Sequence, residues 1–267
     1  MNSHDFSLVD KSPERIRRMF SAIAPRYDFI NHVLTLGIDS LWRKFTAQQL
    51  FHEQTVDGDV LDVCCGTGEQ SLAFWKRQSK LGMKRMNYGI DFTPEMVEVA
   101  QKKVSHLADQ TRANYQPDPT CLNEGTGFHF SVGDALELPF EEARFAVVAV
   151  AFGLRNVGDT QRGLTEMVRV CKPGGTVAVL DFSMPTLPVL RQCYWFYFHT
   201  ILPKLGKWLG KDRNQAYTYL PKSVLQFDSP KRLAERLTQF GIVDIQTQPM
   251  TFGIVSLVWG QKSSKKC

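Results

Sequence analysis

The chain has little of what would mark a metal protein, a secreted protein or a membrane span. Its six cysteines in 267 residues (Cys64, Cys65, Cys121, Cys171, Cys193 and Cys267) include no CxxC pair. That spacing argues against a thiolate zinc site and a disulfide framework, and Cys64 and Cys65, in or beside an apolar run, are expected to be reduced and packed. No His/Cys/carboxylate cluster has ligand spacing, so no metal is expected. No Lys/Arg cluster is interleaved with aromatics, which argues against nucleic acid. The longest apolar stretch, residues 194–202, is too short and interrupted to span a bilayer. The first twenty residues carry acids and no apolar h-region, so they do not read as a signal peptide. A cytoplasmic protein is expected. The net charge of +5 is mild; it leaves peripheral contact with an anionic membrane surface open without requiring it. Repeats and linkers are also missing. With 43% hydrophobic residues, a single domain over residues 1–267 is expected.

What the chain does have is organised around residues 60–69, VLDVCCGTGE. Val60, Leu61, Val63 and Cys64 form an apolar run without alternation, which suits a buried strand of a parallel sheet. Gly66-Thr67-Gly68 ends it, and a helical pattern starts near Ser71. Strand, glycine turn and helix let a ligand approach backbone amides at the sheet's C-terminal edge. The motif alone is weak, since a plain tight turn reads the same way. Asp62 and Glu69 bracket the turn and suit a cationic ligand better than a pyrophosphate. Ser71 occupies the place where a dinucleotide fingerprint has its third glycine.

Around this stretch the pattern alternates. Ser12-Pro13-Glu14 starts a helix, and further helical stretches cover residues 27–36 and 39–51. Residues 12–52 thus predict a helical cap ahead of the first strand. Strands are expected at 86–90, 128–132, 145–151 and 176–182, with helices at 71–80, 95–107 and 160–170. Residues 108–127 read as a long loop excursion, and Lys172-Pro173-Gly174-Gly175 as a helix stop. Helices are expected at 188–209 and 230–240, with 185–240 on the acceptor side, and closing strands at 242–248 and 254–260. This is the signature of a doubly wound α/β sheet, with a cofactor-binding core at 60–182.

Asp91 ends the second strand, where an acid can pair with both hydroxyls of a ribose, and Phe92 stands beside it. Asp134, followed by Ala135, ends the third strand and would face an adenine edge. A helix N-cap is the plain alternative for Asp91. On one sheet edge these positions suggest a nucleoside-type pocket, open to a nicotinamide or flavin enzyme as well as to a methyltransferase.

Longer motifs narrow this. Residues 27–42 (YDFINHVLTLGIDSLW) and 169–183 (RVCKPGGTVAVLDFS) resemble the two signatures of the C-methyltransferases of menaquinone and ubiquinone biosynthesis. Residues 152–157 (FGLRNV), the turn DVCCGTGE, residues 198–206 (FHTILPKLG) and 217–223 (YTYLPKS) are similar to further family blocks, in order, from about residue 20 to residue 260. The resemblance implies a class I methyltransferase fold, with about seven strands and the last antiparallel. It implies S-adenosylmethionine as donor and a ring carbon of a polyprenylated quinol as acceptor. Cofactor contacts are then expected from Asp62, Gly66, Thr67, Gly68, Asp91, Phe92, Asp134, Ala135 and Ala151. Three positions depart from the family pattern: Asp39 stands for the usual histidine, Asp181 for glutamate, and Ala151 for a frequent serine.

Methylating a ring carbon requires alignment and loss of a hydroxyl proton. Arg155 and Asn156, after the fourth strand, and Tyr27 and His32, in the cap, are the expected acceptor-side groups, with His199 and Tyr219 as further options. Arg155 suits stabilising a phenolate, since it stays protonated. The aromatic residues 194–198 and Trp208 are core or the walls of a prenyl channel. A small soluble acceptor and a non-catalytic quinone-binding module are the rival readings, and a homo-oligomer is left open.

Overall fold

The computed structural model describes residues 9–112, 127–185, 191–192, 200 and 216–264. Three helices come first: α1 (Pro13–Ile23), α2 (Tyr27–Leu34) and α3 (Ile38–Leu50), with a short 3-10 turn at Ala24–Arg26. Then follow β1 (Val60–Val63), α4 (Glu69–Lys80), β2 (Asn87–Asp91), α5 (Pro94–Arg112), β3 (Phe128–Val132) and β4 (Phe145–Ala151). A 3-10 turn at Leu154–Asn156 leads to α6 (Thr160–Val170) and β5 (Cys171–Phe182). The described chain closes with α7 (Ala216–Leu225), α8 (Pro230–Gln239), β6 (Ile242–Met250), a 3-10 turn at Thr251–Gly253 and β7 (Val255–Lys262).

The seven strands lie in the order β3-β2-β1-β4-β5-β7-β6. β1 to β5 pair in parallel, and β7 inserts antiparallel between β5 and β6. From β1 the chain builds outward through β2 and β3, then returns to place β4 on the other side. That reversal opens a crevice beyond the carboxyl ends of β1 and β4, where sheets of this kind bind ligands.

Strand alternation sends side chains to two faces. Leu61, Val63, Val148, Val150, Val177 and Val179 pack with Leu164 and Met167 of α6 and Leu233 and Leu237 of α8. Val60, Val147, Ala149, Ala178 and Leu180 pack on the opposite face with Trp42, Ala47 and Leu50 of α3 and Phe74 of α4. The cap is therefore built into the main core. Trp42 fixes it further, with its indole near the rings of Phe152 and Phe182 and its Nε1 donating to Thr251 Oγ1 at 2.7 Å.

Several sequence expectations change. Residues 108–112 continue α5 instead of opening a loop, and 113–126 lie outside the described residues. Lys172-Pro173-Gly174-Gly175 does not separate helix from strand. β5 already starts at Cys171, paired with Phe145, and the register jumps to Val147 with Thr176, so the motif bulges out of the ladder. α8 covers the sheet, with Leu233 and Leu237 in its core. Most of the helix expected at 188–209, with His199 and the aromatic stretch, lies outside the described residues. No helix among the described residues is long and apolar enough to cross a membrane.

Candidate active site

The glycine turn sets the site's floor. Gly68 caps α4 with φ +81°, and a Cβ there would lie 3.1 Å from the Phe130 ring, so glycine fits on both counts. Asp91 holds the turn in shape. Its carboxylate accepts from Gly66 N at 2.8 Å and Thr93 N at 2.9 Å. Burial raises its pKa, against the pull of those amides. Each carboxylate oxygen keeps acceptor capacity beyond these bonds. Asp134 is shaped in the same way, accepting from Leu136 N at 2.9 Å.

Asp62 lies on β1 behind the turn, 1% exposed. Ser71 Oγ donates to its Oδ2 at 2.6 Å, so the residue that replaces a third glycine serves the buried acid. Burial nevertheless pushes the Asp62 pKa up to about 6.

The cap closes the top. Thr67 Oγ1 donates to Asp28 Oδ1 of α2. Lys103 of α5 bridges Asp28 and Glu69, at 2.6 Å to each. Glu69 thus spends its charge on a lysine, which the bracketing of the turn by acids did not reveal.

Beneath the cap lies a cavity whose wall includes Phe20, Tyr27, Asp62, Gly66, Thr67, Asp91, Phe92, Asp134, Ala135, Ala151 and Asn156. Ten of the thirteen residues expected as cofactor contacts or main acceptor-side groups thus line one cavity; Gly68, His32 and Arg155 do not, nor does Tyr219 among the further options. Gly68 lies below, packed on Phe130. His32 is an exposed cap residue, with Nδ1 3.4 Å from Asp39 Oδ1. The Gly37 turn folds against its ring, which is a packing role.

Arg155, expected to face the acceptor, is 5% exposed and does not line the cavity. Its Nη1 donates to Asp181 Oδ1 at 2.7 Å and to Phe152 O. Asp181 also accepts from Arg155 N at 3.3 Å and Phe182 N at 2.8 Å. The shortened acid of the second signature is therefore the counter-ion of the FGLRNV arginine. Asn156 is held between Phe152 O and Tyr219, whose hydroxyl donates to Asn156 Oδ1 at 3.1 Å. Burial pushes the Tyr219 pKa up to about 12, so the phenol stays protonated at neutral pH. Sequence reasoning missed Lys11, Asp28, Arg43 and Gln70. Lys11, Arg43 and Gln70 also line the cavity, and burial lowers the Lys11 pKa. No group of three or more potential metal ligands stands among the described residues.

Strand order and the place of the cavity define the class I methyltransferase architecture. A methyltransferase from Thermotoga maritima (TM-score 0.56, 18% identity, 92% of this chain and 99% of that one) and another from Aquifex aeolicus (0.53, 15%, 94% and 98%) share the fold. The profile of the ubiE/COQ5 methyltransferase family matches residues 8–262, and the chain belongs to that family. A ubiquinone/menaquinone biosynthesis C-methyltransferase UbiE from Geobacter sp. strain M21 is 40% identical over 96% of this chain and all of the relative. A demethylmenaquinone methyltransferase from Halalkalibacterium halodurans is 34% identical over 96% of each.

Proposed function

We propose that this enzyme transfers a methyl group from S-adenosylmethionine to a ring carbon of a polyprenylated quinol. The reaction would be demethylmenaquinol to menaquinol, or the analogous benzoquinol or phytyl-naphthoquinol step. The observation that carries the reading is full-length similarity to relatives named for this chemistry. The site fits the donor. Asp91 and Asp134 sit at strand ends with acceptor capacity for ribose and adenine, and Asp62 Oδ1 is buried without a partner, suited to a cationic group. When bound, S-adenosylmethionine supplies a methyl group activated by the sulfonium charge.

The chain's own residues orient and exclude water. Phe20 and Tyr27 roof the cavity, and Tyr27 with Asn156 holds the acceptor's ring hydroxyl. Arg155, Asp181 and Tyr219 position Asn156 from behind. Holding two reactants in line lowers a barrier by about 7–11 kcal/mol at best. A prenylated acceptor dissolves in lipid, so we also propose that the enzyme meets it at a membrane surface, as one domain with its cap in the shared core.

The test is incubation with labelled S-adenosylmethionine and, separately, a prenylated naphthoquinol and benzoquinol, with products read by mass. One of them should gain a labelled methyl group on carbon. Labelling of neither, together with labelling of a short-chain soluble phenol, would refute the acceptor assignment. Asp91→Ala should abolish S-adenosylmethionine binding by calorimetry; unchanged affinity would remove Asp91 from the site.

A further inference from the structure

Loss of a proton from a ring hydroxyl leaves negative charge on the oxygen, and a cation fixed beside it lowers the barrier. Arg155 cannot be that cation, since it does not line the cavity and Asp181 holds its guanidinium at 2.7 Å. Among the described residues, Lys11 and Arg43 are the cations that do line it. They stand at different ends. The charge of Arg43 acts on Asp62, behind the glycine turn. Lys11 feels the charges of Asp181, Arg155 and Asp228, which places it toward Asn156.

Lys11 sits on a strap, residues 9–12, that leads into α1. Val9 N donates to Gln226 Oε1 at 2.9 Å, just past α7, and Ser12 N to Asp10 Oδ1 at 2.9 Å. The Lys11 carbonyl lies against Gly158, where an added Cβ would stand 3.8 Å from it. The strap is thus tied across the turn that carries Asn156. The acids nearby are engaged elsewhere: Asp10 lies 3.6 Å from Arg15, Asp181 pairs with Arg155, and Asp228 meets Arg232 at 3.2 Å and Arg236 at 3.0 Å. Lys11 has no ion pair among the described residues. It is partly buried, and burial holds its pKa below that of an ordinary lysine. A desolvated cation that faces a cavity without a counter-ion is stabilised by an anion that enters.

We propose that Lys11 is a catalytic residue: its ammonium contacts the acceptor's ring oxygen and holds it as the oxyanion, while Tyr27 and Asn156 fix the ring by hydrogen bonds. The O–H bond breaks, its electron pair stays on oxygen, and the proton leaves to water. Lys11 keeps its three protons throughout. Charge on that oxygen is what makes the neighbouring ring carbon nucleophilic. This rests on the acceptor chemistry proposed above and gives the strap the role expected of Arg155 from the sequence. Lys11 lies outside every family motif quoted above.

Kinetics and calorimetry test it, with labelled S-adenosylmethionine and whichever of the prenylated naphthoquinol and benzoquinol the unaltered protein methylates. Lys11→Met keeps the stem and removes the charge. It should lower kcat and kcat/KM for the quinol together, by about tenfold to a hundredfold, the range of a charged hydrogen bond made in the transition state. Its affinity for S-adenosylhomocysteine should stay within about twofold, which also reports that the variant is folded. Lys11→Arg keeps the charge and should recover part of the loss. Unaltered kcat in Lys11→Met would overturn the proposal. So would a rise in KM alone, a loss of S-adenosylhomocysteine affinity parallel to the loss of kcat, or a Lys11→Arg no better than Lys11→Met. Failure of the unaltered protein to methylate either quinol would instead overturn the acceptor assignment, and this proposal with it.

Discussion

Asp62 is held where ionisation is costly. Its folded pKa of about 6 lies above the ordinary 3.8, so the folded chain keeps a proton that the unfolded chain has released. The associated stability is fully present below about pH 3.8 and is lost as pH rises through about 6. Asp62→Asn can still accept from Ser71 and never ionises. It should therefore match the unaltered protein near pH 4 and exceed it by about 1–3 kcal/mol at pH 8, measured by denaturant unfolding across that range. Asp181 is paired with Arg155. Its charge answers a buried arginine, so Asp181→Asn should cost about 3–5 kcal/mol at neutral pH, and Asp181→Glu, which keeps the charge, should cost less. Equal losses from the two would show that shape, and not charge, matters there. Asp91 and Asp134 were legible because a strand end fixes where an acid must point. The Asp28–Thr67 bond was not, because 39 residues separate its partners and no local pattern links them.

At the scale of elements, the turn after β4 is built on close approach. A Cβ on Gly153 would fall 2.3 Å from the Cβ of Cys64, which itself holds φ +54° at the end of β1. Gly153→Ala should force these strand ends apart. We expect a loss of about 1–3 kcal/mol in unfolding free energy and a weaker cofactor site, because the Cys64 end of β1 leads directly into the glycine turn. A variant with unaltered stability would show that the turn can yield. The same scale shows where reading the sequence fails. β1 and β4 were visible as apolar runs, whereas Lys172-Pro173-Gly174-Gly175 reads locally as a stop. In the fold, pairing of Cys171 with Phe145 recruits the segment into the sheet across a bulge. Tertiary pairing outweighs local punctuation there.

For the whole molecule, a doubly wound sheet was foreseeable from the alternation of elements, and its seven strands with the last antiparallel from the family motifs. The depth of the cap's attachment was not. Helical periodicity announces an apolar face without saying what it meets, and only the fold shows Trp42 and Leu50 packed with Val147 and Leu180. The cap's polar edge has a consequence of its own. Lys103 is about a quarter exposed and clasps two acids that come from α2 and from the start of α4, so dissolved ions compete with the clasp. Traffic through the roof should therefore quicken with ionic strength. In stopped-flow, the departure rate of bound S-adenosylhomocysteine should climb between dilute buffer and molar sodium chloride, and Lys103→Met should flatten that climb. The molecule would then have a door whose latch is electrostatic and whose hinge is the hydrophobic core.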